Sequence, residues 1–489
     1  TGCRPMNASW MEAILNAAGR VDAALWGPWT LALIAFVSIY LTVRTRLFQV
    51  RRLGLIFGTT FGSLLRGEGR MESRGEAASG RMTPFQATST ALASTVGMGS
   101  IAGIAAALSI GGAGAIFWMW LLALLGTITK TAEITLAVHY RDVEEDGRFR
   151  GGPMYYIRKG LGWPVLATLF SLGVFVNALC SATLLQGHTV GRSFLASYGT
   201  SPYLVTGAMT VVTAMVVIGG VRRIGRVSQS LVPLMSVVYI VGGLILFFVN
   251  WREIPFVFGS IFRHAFSPMP AMGGFAGAAV MAAIQAGIAR GMFSNEAGMG
   301  TAPMAHATAE TEHPFQQGMW GAFEVWMVTF VICTITAFAV LSTGVLASGE
   351  SGIELVILAF ASVFPMGVAG NLISFCILTF CLSTMMGFFI YFETAAVDAF
   401  GKPAVRWLRW LYFIPPVVFA GVADVDRVWV FANIAVGVCA IPNLIAVLAL
   451  SGTFLELMKD YLSGEGKYAA PVIDETKAYA RSAQATRHT

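Results

Sequence analysis

The stretch Ser294-Asn295-Glu296-Ala297-Gly298-Met299-Gly300-Thr301 interrupts an apolar run, and Ala93-Ser94-Thr95-Val96-Gly97-Met98-Gly99-Ser100 interrupts another earlier in the chain. Both contain Gly-Met-Gly followed by a hydroxyl residue. Glycine lets the chain leave the helix and bares N–H and C=O groups, which are tolerated at membrane depth only where they line a cavity. There the positive end of a half-helix holds a carboxylate and bare carbonyls hold a cation. One such cluster is read more simply as close helix packing through small residues. Two matched clusters point to a binding site. Each opens a set of five apolar runs, and because five is odd the two sets cross a membrane in opposite directions.

The rest of the chain fits that frame. Of 489 residues 56% are hydrophobic and 12% charged, with a mean hydropathy of +0.69. A soluble domain carries about 25% charged residues, so water is excluded as the main solvent. A disordered chain would be poorer in apolar residues, and a disulfide scaffold richer in cysteine than six. About eleven runs approach the ~20 residues that a membrane crossing needs. The expected fold is an all-α polytopic membrane protein of about eleven transmembrane helices, a five-plus-five inverted repeat preceded by one extra helix. Its parts are an external segment (1–25), the extra helix (26–46), a basic interfacial segment (47–83), the first repeat (84–250), the second repeat (271–450) and a polar, mobile cytoplasmic tail (451–489). With the N-terminus outside, 24 of the 32 Lys and Arg fall on the cytoplasmic side and 6 outside, while Lys130 and Arg290 sit inside runs. Cytoplasmic loops collect such residues, so the basic excess reads as topology: a bacterial inner-membrane type of plasma-membrane protein, C-terminus inside. Nucleic acid is excluded as a partner on the same ground. Gly111-Gly112-Ala113-Gly114 lacks the lysine of a P-loop, so no nucleotide is expected.

Specific motifs then narrow the reading. Pro84-Phe85-Gln86-Ala87 through Gly99-Ser100-Ile101-Ala102-Gly103, then Phe117-Trp118-Met119-Trp120, Gly151-Gly152-Pro153-Met154-Tyr155-Tyr156-Ile157 and Gly291-Met292-Phe293-Ser294-Asn295-Glu296-Ala297-Gly298-Met299-Gly300-Thr301-Ala302-Pro303 resemble the alanine or glycine:cation symporter family, also called sodium:alanine symporters. The resemblance runs from about residue 40 to 450. It implies the LeuT-type fold and symport of small neutral amino acids with sodium or sometimes protons, with no cofactor beyond the co-transported ion. By the same resemblance the cation meets Ala93, Val96, Phe380, Ser383 and Thr384, oxygen ligands that suit a hard cation. Without it, Ser383 and Thr384 are read as hydroxyls bonded back to their own helix. The implied amino-acid site comprises Gln86, Thr90, Gly97, Met98, Gly99, Ser100, Phe293, Ser294, Asn295, Gly298 and Phe388. Four positions depart from the family pattern: Ser100 for Asn, Phe388 for Trp, Phe392 for Gly, and Val328 for Asp, with Glu324 one turn earlier as the carboxylate available to take over.

Ionisable residues inside spans are costly and by default functional. Lys130 and Glu133, three apart, read as a local ion pair. Arg290 and Glu296 flank the second break as a gating or dipole-compensating pair, unless Glu296 caps the amides of its own broken helix. Glu324 and Glu393 are proton-sensitive carboxylates or snorkelling residues. His139, His188, His264 and His306 share no metal-ligand spacing and read as loop or helix-end residues. The expected function is sodium-coupled import by alternating access. A proton-coupled or other-substrate transporter of this fold and a transporter-like sensor remain as alternatives. An intramembrane enzyme needs a nucleophile–base set, H-E-x-x-H or paired aspartates within spans, and the sequence has none.

Overall fold

The computed structural model describes residues 8–66, 81–145, 147–267, 276–421 and 425–468. Arg4, Arg70, Arg74, Lys477, Arg481 and Arg487, used above for orientation, lie outside the described residues.

The described residues are mostly helical; a two-stranded antiparallel hairpin, Asp142–Val143 with Phe149–Arg150, lies between helices. Proline opens many helices: Pro28, Pro84, Pro153, Pro164, Pro202 and Pro314 each stand at a first position, where the missing N–H would have no helical partner in any case. Among the described residues seven helices are long and apolar enough to cross a membrane, and an eighth span results if Pro84–Thr95 and Gly99–Gly111, bent by 49°, count as one. Pro202–Val217 is shorter, at 16 residues, rising about 24 Å against a hydrocarbon core of about 30 Å.

Burial sorts the helices into shells. The most apolar windows of Gly114–His139 and Met366–Phe400 are 83% buried, whereas that of Gly220–Val249 is only 33% buried. The latter turns Leu234, Val237, Val241, Leu244 and Phe248 outward, a surface suited to lipid and not to water. Inner contacts rest on small residues, as expected where lipid supplies little drive for helix association. A Cβ at Gly287 would stand 2.2 Å from the Ala115 carbonyl oxygen, and one at Gly318 2.3 Å from Thr135 Oγ1.

At the ends, one expectation needs correction, that of a mobile tail, and the segment 1–25 gains a helix. The first 25 residues contain a helix, Ala8–Leu25, and the Trp26 indole after it donates to the Asn433 carbonyl at 3.1 Å. The residues after Ser451 do not begin a mobile tail: Ser451–Ser463 is a helix that buries Phe454 and Leu457 against Gly114–His139 and Pro314–Val325. Asp460 fixes its end by accepting from His313 Nε2 at 3.1 Å, Lys467 N at 2.9 Å and Tyr468 N at 3.0 Å. A face of two aromatic or aliphatic residues per turn suffices to dock a short helix when the rest is polar, and the charged residues around it hid that face. The described first part of the basic segment, residues 47–66, forms three short helices, Phe48–Arg51, Leu53–Thr59 and Phe61–Leu65.

Candidate functional site

The first broken helix starts with a capping box: the Thr83 hydroxyl accepts from Gln86 N at 3.2 Å while Gln86 Oε1 accepts from Thr83 N at 3.1 Å. This satisfies two orphan amides reciprocally and engages Gln86. Thr90 donates to the Gln86 carbonyl at 2.8 Å, so these two residues serve the helix rather than line the cavity above them.

At the break itself the long Met366–Phe400 helix comes close, because a Cβ at Gly387 would lie 2.8 Å from the Thr90 carbonyl oxygen. Thr384 Oγ1 reaches the Ala93 carbonyl at 3.0 Å and Ser383 Oγ reaches it at 3.3 Å. Both hydroxyls also donate to the Phe380 carbonyl, at 2.9 and 2.8 Å. Four of the five expected cation residues thus converge. The fifth, Val96, ends the helix with φ −84° and ψ 71°, and its neighbour Gly97 abuts Thr384, a Cβ there falling 2.5 Å from Oγ1. Each hydroxyl has a single proton, placed between the carbonyl of its own helix and that of the other.

Above them lies an enclosed cavity of about 10 Å³, room for about one water, lined by Ser94, Gly97, Gly99, Phe293, Thr384 and Phe388 among others. Phe293 packs on Trp429, centroids 5.1 Å apart, and a Cβ at Gly99 would meet its ring at 2.7 Å. Ser100 and Ser294 share a hydroxyl bond of 2.8 Å that ties the two breaks together. Met98 N donates to Gln186 Oε1 at 3.2 Å. In the second break Asn295 Oδ1 accepts from Ala297 N at 3.0 Å and Asn295 Nδ2 donates to Thr329 Oγ1 at 3.1 Å. Glu296 takes a left-handed φ of 56°, its carboxylate accepting from Thr301 Oγ1 at 2.7 Å. Gly298, at φ 90°, presents its carbonyl to Asn443 Nδ2 at 2.9 Å and lies away from the cavity.

Residues of this site that had not been expected include Gln186, Ser181 and Ser94, with Tyr391 behind the last. Tyr391 OH and Ser94 Oγ stand 2.6 Å apart, and Gln186 Nε2 donates to the Ser181 carbonyl at 3.1 Å. Their signal was present as buried polar groups in apolar runs, without a motif to single them out.

The ionisable residues pair differently from their spacing. Lys130 turns from Glu133 to Glu324 Oε2, at 3.2 Å, and Glu133 instead accepts from Asn443 Nδ2 at 2.6 Å. Arg290 lies over the Trp429 ring at 3.5 Å and donates to Asn433 Oδ1 at 3.3 Å, while Glu296 is engaged with Thr301, so the two do not form the expected pair. Glu324 is fully buried. Glu393, partly exposed, faces Arg409 at 3.7 Å. His306 does end a helix, Pro303–His306, and it is also buried, with Nε2 3.2 Å from Glu324 Oε2 and Nδ1 2.8 Å from Gln317 Nε2. His188 is likewise buried, inside Leu185–Tyr198. Phe392 fits its crowded face by stacking on Phe175, centroids 4.9 Å apart.

A family model described as the sodium:alanine symporter family matches residues 11–475. The chain belongs to the sodium:alanine symporter family. This is a family of transporters, and the protein is a membrane transporter rather than an enzyme. The transporter is 37% identical over 461 residues to YflA, an uncharacterized transporter of Bacillus subtilis strain 168, covering 94% of this chain and 96% of that one. It is 34% identical over 449 residues to the sodium/alanine symporter AgcS of Methanococcus maripaludis, covering 90% of this chain and 96% of AgcS. Among solved structures it is similar to MhsT in complex with L-phenylalanine, with a TM-score of 0.52 at 16% identity, covering 77% of this chain and 90% of that one. That likeness concerns the fold alone, which is LeuT-type.

Proposed function

We propose that this transporter imports a small neutral amino acid of the alanine or glycine type together with sodium, by alternating access. The observation that carries the reading is the meeting of Ser383 and Thr384 hydroxyls with the bare Ala93 carbonyl at the first break. In this reading sodium enters among Ala93, Val96, Phe380, Ser383 and Thr384. The zwitterion lies beside it, its carboxylate on the amides of Gly97 to Gly99 and its ammonium on carbonyls near Phe293 to Asn295. Gln186 holds one of those amides in the present form and releases it to the substrate. The ion draws the first break and the Met366–Phe400 helix together, which shapes the amide nest for the carboxylate; that is the coupling. A cavity of about 10 Å³ is too small for an amino acid, so Phe293 or Phe388 swings aside on entry.

The five-plus-five repeat belongs to the same reading. Its support is the order of elements. A broken helix, a long helix, a short helix, a long helix and two further segments run from Pro84 to Val249, and the same order runs from Ala276 to Ala449. The charge bias supports an N-terminus outside and a C-terminus inside. A second reading, proton coupling, has one observation in its favour: the buried Glu324 lies 3.2 Å from His306.

Reconstituted uptake tests both. Labelled alanine, glycine and serine are offered to proteoliposomes under an imposed sodium or proton gradient. Concentration of label driven by sodium alone supports symport with sodium; concentration driven by protons alone supports the second reading. A sensor, or a transporter of another substrate, would concentrate none, and that result would remove the alanine or glycine reading.

A further inference from the structure

Behind the second break, the middle of Gly114–His139 carries Lys130, which has no solvent exposure. Its Nζ donates to the Asn295 carbonyl at 2.7 Å and stands 3.2 Å from Glu324 Oε2. Asn295 is the last residue of Ala276–Asn295, and Met299 N bonds to the Glu296 carbonyl instead of to it. Its C=O is therefore one of the orphan acceptors at the negative end of a helix. The other carboxylate oxygen, Glu324 Oε1, accepts from Thr95 Oγ1 at 3.0 Å, and Thr95 is the last residue of the helix before the first break. A helix-end carbonyl and a carboxylate are oxygen ligands that a small hard cation takes, and the Thr95 hydroxyl holds that carboxylate in place from the first break. Here the cation is an ammonium that cannot leave. Of the neighbouring titratable groups, Glu133 accepts from Asn443 and Glu296 from Thr301, each through one carboxylate oxygen with the other buried and without a hydrogen bond, and His306 Nε2 meets the same Glu324 oxygen as Lys130.

We propose that Lys130 is a tethered cation standing in for a second coupling ion, so that transport moves a single sodium, and a single charge, with each zwitterion. The proposal rests on the symport reading above and assigns Lys130 a positioning role between the breaks.

In proteoliposomes, wild-type uptake is expected to carry about one charge per labelled alanine, and two would overturn the proposal. Lys130→Met leaves Glu324 facing an open place, so the Hill coefficient of sodium-driven uptake rises from about 1 toward about 2. Lys130→Met with Glu324→Gln removes the carboxylate as well and returns it to about 1. A folded Lys130→Met chain whose coefficient stays near 1 overturns the proposal; should that variant not fold, the wild-type charge count decides. A separate measurement needs no transport. In detergent, stabilisation by sodium over choline grows with the logarithm of concentration in proportion to the number of sites, so its limiting slope for Lys130→Met is about twice that of wild type. Absence of sodium-driven uptake in wild type removes the symport reading, while an unchanged detergent slope removes the tethered-cation proposal.

Discussion

Gly97 occupies the tightest point of the candidate site, since any side chain there begins 2.5 Å from Thr384 Oγ1. Threonine has no distal joint with which to yield: turning its hydroxyl away surrenders the bond to Ala93. Gly97→Ala is accordingly expected to raise the sodium concentration for half-maximal uptake about tenfold or more, because the displaced Thr384 hydroxyl is a sodium ligand in the proposed reading and contacts to charged groups are worth about 1.5–3 kcal/mol. Thr384→Ala should do the same by deleting the hydroxyl, and Thr384→Ser should restore most of it. If Thr384→Ala leaves uptake at limiting sodium unchanged, the five-residue cage is wrong. A Cβ at Gly99, by contrast, meets the edge of the Phe293 ring, a side chain with freedom to rotate, so Gly99→Ala falls on the substrate's KM rather than on sodium.

Among the elements, the second break depends on a residue far along the chain. Asn443, inside Val425–Ala449, donates to Glu133 and to the Gly298 carbonyl and accepts from the Tyr156 hydroxyl, pinning three helices to one turn. Asn443→Leu strands buried polar partners, each costing about 1–3 kcal/mol. We expect a fall in thermal midpoint of several degrees in detergent, checked by unfolding followed through intrinsic fluorescence. The location of both breaks was legible in the sequence because Gly-Met-Gly is a local signal, and the Ser383–Thr384 contribution through family resemblance. Lys130 was legible as unusual but not its partner. Spacing proposes Glu133, three residues away, whereas a desolvated ammonium takes the best acceptors that tertiary packing supplies, and Glu324 and Asn295 come from other helices. Gln186 stayed hidden for the same reason, since a lone amide in an apolar run carries no pattern of its own.

For the molecule as a whole, composition alone identified lipid as the solvent, and the outward apolar face of Gly220–Val249 agrees. Composition said nothing of the terminal helices, whose docking depends on a few apolar residues set among charged ones. Phe454, fully buried against Phe315 at a centroid distance of 6.1 Å, is the anchor of the last described helix. Phe454→Ala is expected to cost about 3–5 kcal/mol, read as a lowered thermal midpoint and faster proteolysis beyond Ser451; unchanged proteolysis would mean the docking contributes little. The enclosed cavity between the breaks has a further electrical meaning. With room for about one water and walls of Phe293 and Phe388, it offers no file of water to ions or protons. On the proposed symport, a carrier resting in this form is an insulator, and sodium crosses only as the protein turns over with its amino acid.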